Sequence, residues 1–303
     1  MVAGEASGDQ LGAALIRAIL DEQPDTRFVG IGGPLMKAAG MDAWWDSAEL
    51  SVMGLFEVIG HIPRLLDLRR QLVNKLLELK PNVFIGIDAP DFNLNVERRL
   101  KEHAIPVIHY VSPTVWAWRS GRVKSIAKST DRVMCLFPFE PAFYAQHDVA
   151  ATYTGHPLAD QIQPGIEKSP ARAALGIDDT ARCIALLPGS RLSEVEKLTS
   201  PMLEAAGILT QRYSGMRFIV PAASELIRAH LETALQQYAS LDCQVFSANA
   251  RHVVAASDLV VCASGTATLE VMLINRPMVV CYRLAGMTYT LAKWLKLVKS
   301  RFF

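Results

Sequence analysis

The sequence predicts an α/β protein built from two parallel-sheet domains, and three observations carry that prediction. Eight short apolar runs, at residues 27–32, 82–88, 106–112, 131–137, 183–187, 218–221, 259–263 and 278–282, read as buried strands. Between them apolar residues recur every three or four positions, as Leu11, Ala14, Leu15, Ala18 and Ile19 do in the first such segment. Strand and helix in alternation are the rhythm of a parallel sheet covered by helices. The rhythm breaks once, at 155–171, where Gly155, Pro157, Pro164, Gly165 and Pro170 precede a new strand. The break divides the chain into a first domain at 1–160, a linker at 161–170 and a second domain at 171–303.

At 303 residues, half of them hydrophobic, the chain can bury one or two ordinary cores, and two is the expectation. Met1-Val2-Ala3 leaves little strand before the first turn, and the final Arg301-Phe302-Phe303 carries no capping signal, so the chain is expected to be a piece of a longer protein. A net charge of +1 without any lysine or arginine block excludes phosphate-dominated nucleic-acid binding. Cys135, Cys183, Cys243, Cys262 and Cys281 form no Cys-x-x-Cys pair, and four lie in or beside apolar runs. They are expected to be reduced core residues of a cytoplasmic chain. No uncharged stretch nears the roughly 20 apolar residues that a membrane span needs, and no signal peptide opens the chain.

In open parallel sheets ligands bind beyond the C-terminal ends of the strands, so the residues after each run are where chemistry is expected. After 259–263, Ser264-Gly265-Thr266 turns straight into a helix carrying Glu270. Amides at a helix start point outward with partial positive charge behind them, which suits a diphosphate, and Gly265 permits close approach. Glu270, four residues after Thr266 and on the same helix face, can accept hydrogen bonds from a ribose diol. The alternative is that Ser264 and Thr266 only cap a helix and Glu270 is surface charge. After 184–187 comes Pro188-Gly189-Ser190-Arg191, then Leu192-Ser193-Glu194 opening a helix. Arg191 is placed to neutralise a leaving diphosphate, or else pairs with Glu194. Both loops belong to one half-sheet, which makes the second domain the nucleotide side.

The first domain opens with Gly4-Glu5-Ala6-Ser7-Gly8-Asp9, whose acids suit a hydroxyl-rich sugar better than a phosphate. A plain strand-to-helix turn with Asp9 near the helix start fits the same residues. The run Asn82-Val-Phe-Ile-Gly-Ile-Asp88 ends in a carboxylate that must be paired, protonated or functional, and a general base is the expected role. It leads into Ala89-Pro90-Asp91-Phe92-Asn93, where Asp91 also fits a helix cap. Farther on, His109-Tyr-Val-Ser-Pro-Thr-Val-Trp116-Ala-Trp118-Arg119 brings two tryptophans, as cleft walls or as core. Residues 61–79 carry apolar side chains over nearly half a helical circumference, with Arg64, Arg69 and Arg70 in or beside the arc and Phe56, Val58 and Ile59 ahead of it. A membrane-facing surface that includes Ile62, Leu65 and Leu66 fits this pattern, as does a simply buried helix. A second basic amphipathic stretch occupies 289–301.

Taken in order, Val2-Ala-Gly-Glu-Ala-Ser-Gly-Asp9, Gly86-Ile-Asp-Ala-Pro-Asp-Phe-Asn93, His109 to Arg119, Leu186-Leu-Pro-Gly-Ser-Arg191 and Ala263-Ser-Gly-Thr-Ala-Thr-Leu-Glu270 closely resemble the lipid A disaccharide synthases, over nearly the whole chain. The resemblance implies a GT-B hexosyltransferase, with two Rossmann-like domains facing a central cleft, that needs neither cofactor nor metal; no Asp-x-Asp motif occurs in either half. It implies UDP-2,3-diacylglucosamine and 2,3-diacylglucosamine 1-phosphate as substrates, inversion at the anomeric carbon, and release of UDP. Asp88 matches the family's catalytic aspartate, Arg191 its nucleotide-side arginine, and Glu5 and Ser7 its N-terminal cleft residues. Ser190, Ser264, Gly265, Thr266 and Glu270 fall on the UDP-sugar side; Asp91, Asn93 and Trp118 fall on the acceptor side. The region 56–66 matches an apolar surface that meets an anionic membrane, which implies a cytoplasmic enzyme peripheral to the inner membrane. Family members also form homodimers that exchange C-terminal elements, begin several residues earlier, and continue past Phe303 into a Ser-Leu-Pro-Asn segment that helps form the active site. The rival enzyme readings are a UDP-N-acetylglucosamine 2-epimerase and the transferase that makes lipid II. A non-catalytic UDP-sugar or lipid-binding fragment is the rival from another class.

Overall fold

The structure, a computed structural model, describes all residues except 51–54, 116–119, 163–164, 248 and 284–303, with the side chains of 55–61 and 120 also outside the description. Two compact units divide at Pro157/Leu158. The first unit runs β1 (Val2–Ala3), α1 (Ala6–Glu22), β2 (Phe28–Gly32), α2 (Pro34–Ala38), β3 (Met41–Asp46), α3 (Leu55–Leu79), β4 (Phe84–Ile87), α4 (Pro90–Glu102), β5 (Val107–Tyr110), α5 (Val123–Ser129), β6 (Arg132–Cys135), α6 (Glu140–Ala145) and β7 (Ala151–Tyr153). Its strands lie all parallel in the order β3-β2-β1-β4-β5-β6-β7. The chain builds outward from β1 in one direction and from β4 in the other, so the direction of winding reverses between these two strands. Short as it is, β1 sits at the centre: Val2 and Ala3 are fully buried and pair with Gly86 and Ile87.

Helices cover both faces of this sheet. Leu11, Ile16, Met36 and Ile87 belong to the core on one face, and Leu72, Leu76, Phe84 and Leu100 to the core on the other. Burial on both faces is why β4 is a continuous apolar run rather than an alternating one. The long helix α3 contributes only part of its length: Leu68, Leu72 and Leu76, spaced four apart, are buried against the sheet, whereas Ile62 and Leu66 are 41% and 48% exposed and Leu65 is half-buried. The buried-helix reading from sequence therefore holds for the later part of α3, while Ile62 and Leu66 stand exposed ahead of it; Phe56, Val58 and Ile59 lie outside the described side chains.

The second unit runs α7 (Leu158–Gln161), α8 (Lys168–Leu175), β8 (Arg182–Leu187), α9 (Leu192–Arg212), β9 (Met216–Pro221), α10 (Glu225–Leu235), β10 (Cys243–Phe246), α11 (Ala250–Ala256), β11 (Leu259–Ala263), α12 (Thr266–Leu273) and β12 (Met278–Cys281). Its parallel strands follow the order β10-β9-β8-β11-β12, with the reversal between β8 and β11. Alternate residues of β8 feed opposite cores, Cys183, Ala185 and Leu187 on one face and Ile184 and Leu186 on the other. Leu158 and Ile162 are in the core of this unit, and Ile166 lies against it. All five cysteines are free, and burial pushes the Cys183 thiol up to about 11, well away from reactive thiolate. Among the described residues, no helix is long and apolar enough to cross a membrane.

Candidate functional site

Each sheet has one point where its winding reverses, and in open α/β sheets the crevice beyond the strand ends at that point is the favoured ligand site. The residues singled out from sequence gather at these two points. In the first unit they follow β1 and β4; in the second they follow β8 and β11.

Beyond β1, Glu5 is the exposed N-cap residue of α1 and Ser7 lies in its first turn, half-buried. Asp9 is different. It is only 2% exposed, and its carboxylate accepts hydrogen bonds from the amides of Gly33, Leu35 and Met36, each at 2.9 Å. It thereby caps α2, and the approach requires Gly33, where a Cβ would stand 2.5 Å from Asp9 Oδ2. Of the two acids in the opening motif, Glu5 alone is at the surface. Asp9→Ala is expected to destabilise the protein by about 2–3 kcal/mol, because three amides, those of Gly33 and Met36 buried, lose a charged acceptor. Thermal melting checks this, and an unchanged melting temperature would assign Asp9 elsewhere.

Beyond β4, the chain makes a turn that ordinary residues rarely tolerate. Asp88 and Ala89 both adopt left-handed backbone angles, with φ of +50° and +43°. Each such residue costs on the order of 1–3 kcal/mol and persists where its surroundings fix it, commonly at functional sites. Here the fixing bonds are visible. The Asp88 amide donates to the Tyr110 carbonyl at 2.8 Å, extending the ladder to β5, and the Asp88 carbonyl accepts from Asn93 Nδ2 at 2.8 Å. The Ala89 carbonyl accepts from the amides of Phe92 and Asn93 at 3.0 Å, which starts α4. The result is a half-buried carboxylate on a rigid turn at the reversal point.

Two neighbours placed on the acceptor side from sequence lie in different surroundings. Asn93 is fully buried, with its amide on the carbonyls of Val2, Ile87 and Asp88, so it braces the turn from behind. Asp91 is 79% exposed in the first turn of α4 and forms an ion pair with Arg122. Trp118 lies outside the described residues. Two side chains that sequence reading passed over complete the region: Glu97 on α4 and His109 on β5, both fully buried, with His109 Nδ1 2.6 Å from Glu97 Oε1. Burial alone would depress the imidazole, but the carboxylates of Glu97 and, farther off, Asp88 outweigh it and hold His109 above its ordinary pKa.

In the second unit, the loop after β8 turns at Gly189, φ +136°, where a Cβ would stand 2.7 Å from Glu194 Oε2. Ser190 and Arg191 follow, both exposed, with Arg191 as the N-cap residue of α9. Arg191 Nη1 donates to Glu194 Oε1 at 3.1 Å, the partner that the bland reading anticipated. Beyond β11, the Ser264 amide bonds the Cys281 carbonyl of β12 at 3.0 Å, and Gly265 is the N-cap residue of α12 with no side-chain cap. Ser264, Gly265 and Thr266 are exposed, and among the described residues a Cβ on Gly265 would meet nothing within 4 Å. Glu270 is half-buried and accepts from Arg251 Nε at 3.0 Å, and Arg251 lies in the first turn of α11, its amide donating to the cap Asn249. Arg251 carried no sequence signal; it is brought to Glu270 only by the fold. Among the described residues, no group of three His, Cys, Asp or Glu side chains comes together to hold a metal ion.

Comparison with known proteins bears on this arrangement. A family model described as lipid-A-disaccharide synthetase matches residues 1–302. The chain is 47% identical over 305 residues to a lipid-A-disaccharide synthase of Xylella fastidiosa strain M12, covering 100% of this chain and 79% of that protein. It is 50% identical over 298 residues to that of Alkalilimnicola ehrlichii, covering 97% and 78%. Among solved structures it is similar to the S. aureus MnaA–UDP complex, with a TM-score of 0.67 at 12% identity over 96% of this chain and 80% of that one. It is also similar to MurG of Acinetobacter baumannii, with a TM-score of 0.51 at 16% identity over 98% and 82%. The structural likenesses establish a GT-B fold of two parallel-sheet α/β domains, and the sequence likenesses establish more: the chain belongs to the lipid-A-disaccharide synthase family of glycosyltransferases.

Proposed function

We propose that this chain transfers the sugar of UDP-2,3-diacylglucosamine to 2,3-diacylglucosamine 1-phosphate, inverting the anomeric carbon and releasing UDP. The observation that carries the reading is the division of chemistry between the two reversal points, with a braced carboxylate at one and an open helix start beside an arginine at the other. Asp88 takes the proton from the acceptor's primary hydroxyl as that oxygen attacks the donor's anomeric carbon. The bond from that carbon to the UDP oxygen breaks as the new one forms, and single in-line displacement inverts the centre. The amides of 265–267 and the Arg191 guanidinium take up the charge of departing UDP, with Ser190, Ser264 and Thr266 as hydroxyl partners. Glu270, oriented by Arg251, accepts from the ribose hydroxyls. Glu5, Ser7 and Asp91 serve the acceptor side; Asn93 serves it through the Asp88 turn. Tracking UDP release with and without acceptor tests this reading: release that needs both acylated substrates supports it, and acceptor-independent conversion of UDP-N-acetylglucosamine points instead to an epimerase.

The exposed portion of α3 supports a further element of the proposal, contact with an anionic membrane surface on the cytoplasmic side. Ile62 and Leu66 are exposed on a helix that also carries Arg64 and Arg70 at its surface. The Ile62→Glu/Leu66→Glu variant is expected to keep its melting temperature and lose most of its binding to vesicles rich in anionic lipid. Equal binding by variant and parent would remove α3 from the membrane contact. Family resemblance also supports a homodimer, which a monomer in sedimentation equilibrium would dismiss.

A further inference from the structure

Behind the Asp88 turn lies a cluster of three polar side chains without access to solvent. Asn93 and Glu97, one turn apart on α4, and His109, paired in register with Gly86 of β4, are each 0% exposed. Room for them depends on Gly86, where a Cβ would stand 2.1 Å from Glu97 Oε1 and 3.1 Å from Asn93 Cβ. Stability does not account for the cluster. Apolar residues of similar volume usually match or better a buried ion pair. Three atoms of the cluster, Asn93 Oδ1, Glu97 Oε2 and His109 Nε2, moreover have no hydrogen-bond partner among the described residues, each at a cost of about 1–3 kcal/mol. Polar groups retained against such a cost concentrate where a reactive group has to be held in place. The reactive group in reach is Asp88, whose carbonyl Asn93 holds.

We propose that Glu97 and His109 are positioning residues of the transfer reaction. Their hydrogen bond ties the inner face of α4 to β5, and with it the Asn93 amide that fixes the Asp88 carbonyl and so the aim of its carboxylate. Glu97 follows Asn93 by four residues, on the same face of the helix, so the bond from Glu97 to β5 sets how that face sits over β4. Neither residue touches substrate, and the proposal rests on Asp88 as the base.

The test measures kcat, both Michaelis constants and melting temperature in the full-length protein for Glu97→Leu, Glu97→Gln and the double variant Glu97→Leu/His109→Leu, with Asp88→Asn alongside. Glu97→Leu is expected to lower kcat roughly 10- to 100-fold with Michaelis constants within about threefold of the parent, the signature of a misaimed group. Glu97→Gln keeps an acceptor for His109 Nδ1–H and recovers most of the loss. The double variant puts an apolar pair where the polar one stood, which favours folding, and shows the same kcat loss. A folded Glu97→Leu or double variant turning over at the parent rate overturns the proposal. When Asp88→Asn is inactive beside it, the proposal alone has failed; an active Asp88→Asn removes the base assignment and the proposal together.

Discussion

Asp88→Ala is expected to lower disaccharide formation by roughly 10²–10⁴-fold, the range that a general base contributes. The acid closes a strand buried on both faces and sits on two successive left-handed residues, a conformation maintained by bonds to Tyr110 and Asn93. Strained backbone of this kind is commonly kept at functional sites, which agrees with the role proposed for Asp88. The alanine variant keeps the backbone bonds that brace the turn, so it is expected to fold and to bind both substrates with nearly unchanged Michaelis constants. Steady-state kinetics check this, and activity within a few-fold of the parent would remove Asp88 from the chemistry.

The second large effect is expected at Arg191. Its visible partner is Glu194, an exposed pair three residues away on the same helix, and pairs of that kind contribute at most about 1 kcal/mol. Arg191→Ala is expected to keep the fold, which its melting temperature checks. In the proposed mechanism the side chain's larger contribution is to the diphosphate: removing one positioned donor from a developing negative charge typically costs 10²–10³ in turnover, or about 3–4 kcal/mol. Arg191→Ala is expected to raise the donor Michaelis constant and lower kcat together, with the acceptor constant unaffected. Arg191→Lys, a point charge without the planar fork, recovers part of the loss. An unchanged donor profile places Arg191 outside the site.

How far the fold could be read from sequence depended on where each strand sits in its sheet. The eight apolar runs appear as β2, β4, β5, β6, β8, β9, β11 and β12, most of them shortened at their ends. The strands with no such run are of two kinds. Three are edges, β3, β7 and β10, whose residues are mostly half-buried or exposed and so need no apolar run. The fourth, β1, is central but only two residues long, too short for any periodicity to register. Helix α3 was ambiguous for a physical reason, because one stretch of it packs and another does not.

The candidate site divides in the same way. Asp88 and the Ser264-Gly265-Thr266 turn directly follow a strand and Arg191 follows one by four residues, so their places at the strand ends could be read from sequence, while the roles given to them belong to the proposed function. Glu97 and His109 were not, being 12 residues apart on different elements and meaningful only as a pair. Arg251 reaches Glu270 across 19 residues for the same reason. Asn93 is buried against the carbonyls of Val2, Ile87 and Asp88, a placement that its sequence neighbourhood could not reveal.

The central claim, inverting transfer between two acylated sugars, is tested most directly by incubating the full-length protein with UDP-2,3-diacylglucosamine and 2,3-diacylglucosamine 1-phosphate and determining the anomeric configuration of the product by NMR. A β-linked disaccharide 1-phosphate formed in step with UDP is the expected result. An α-linked product, or UDP released with no disaccharide formed, would contradict it.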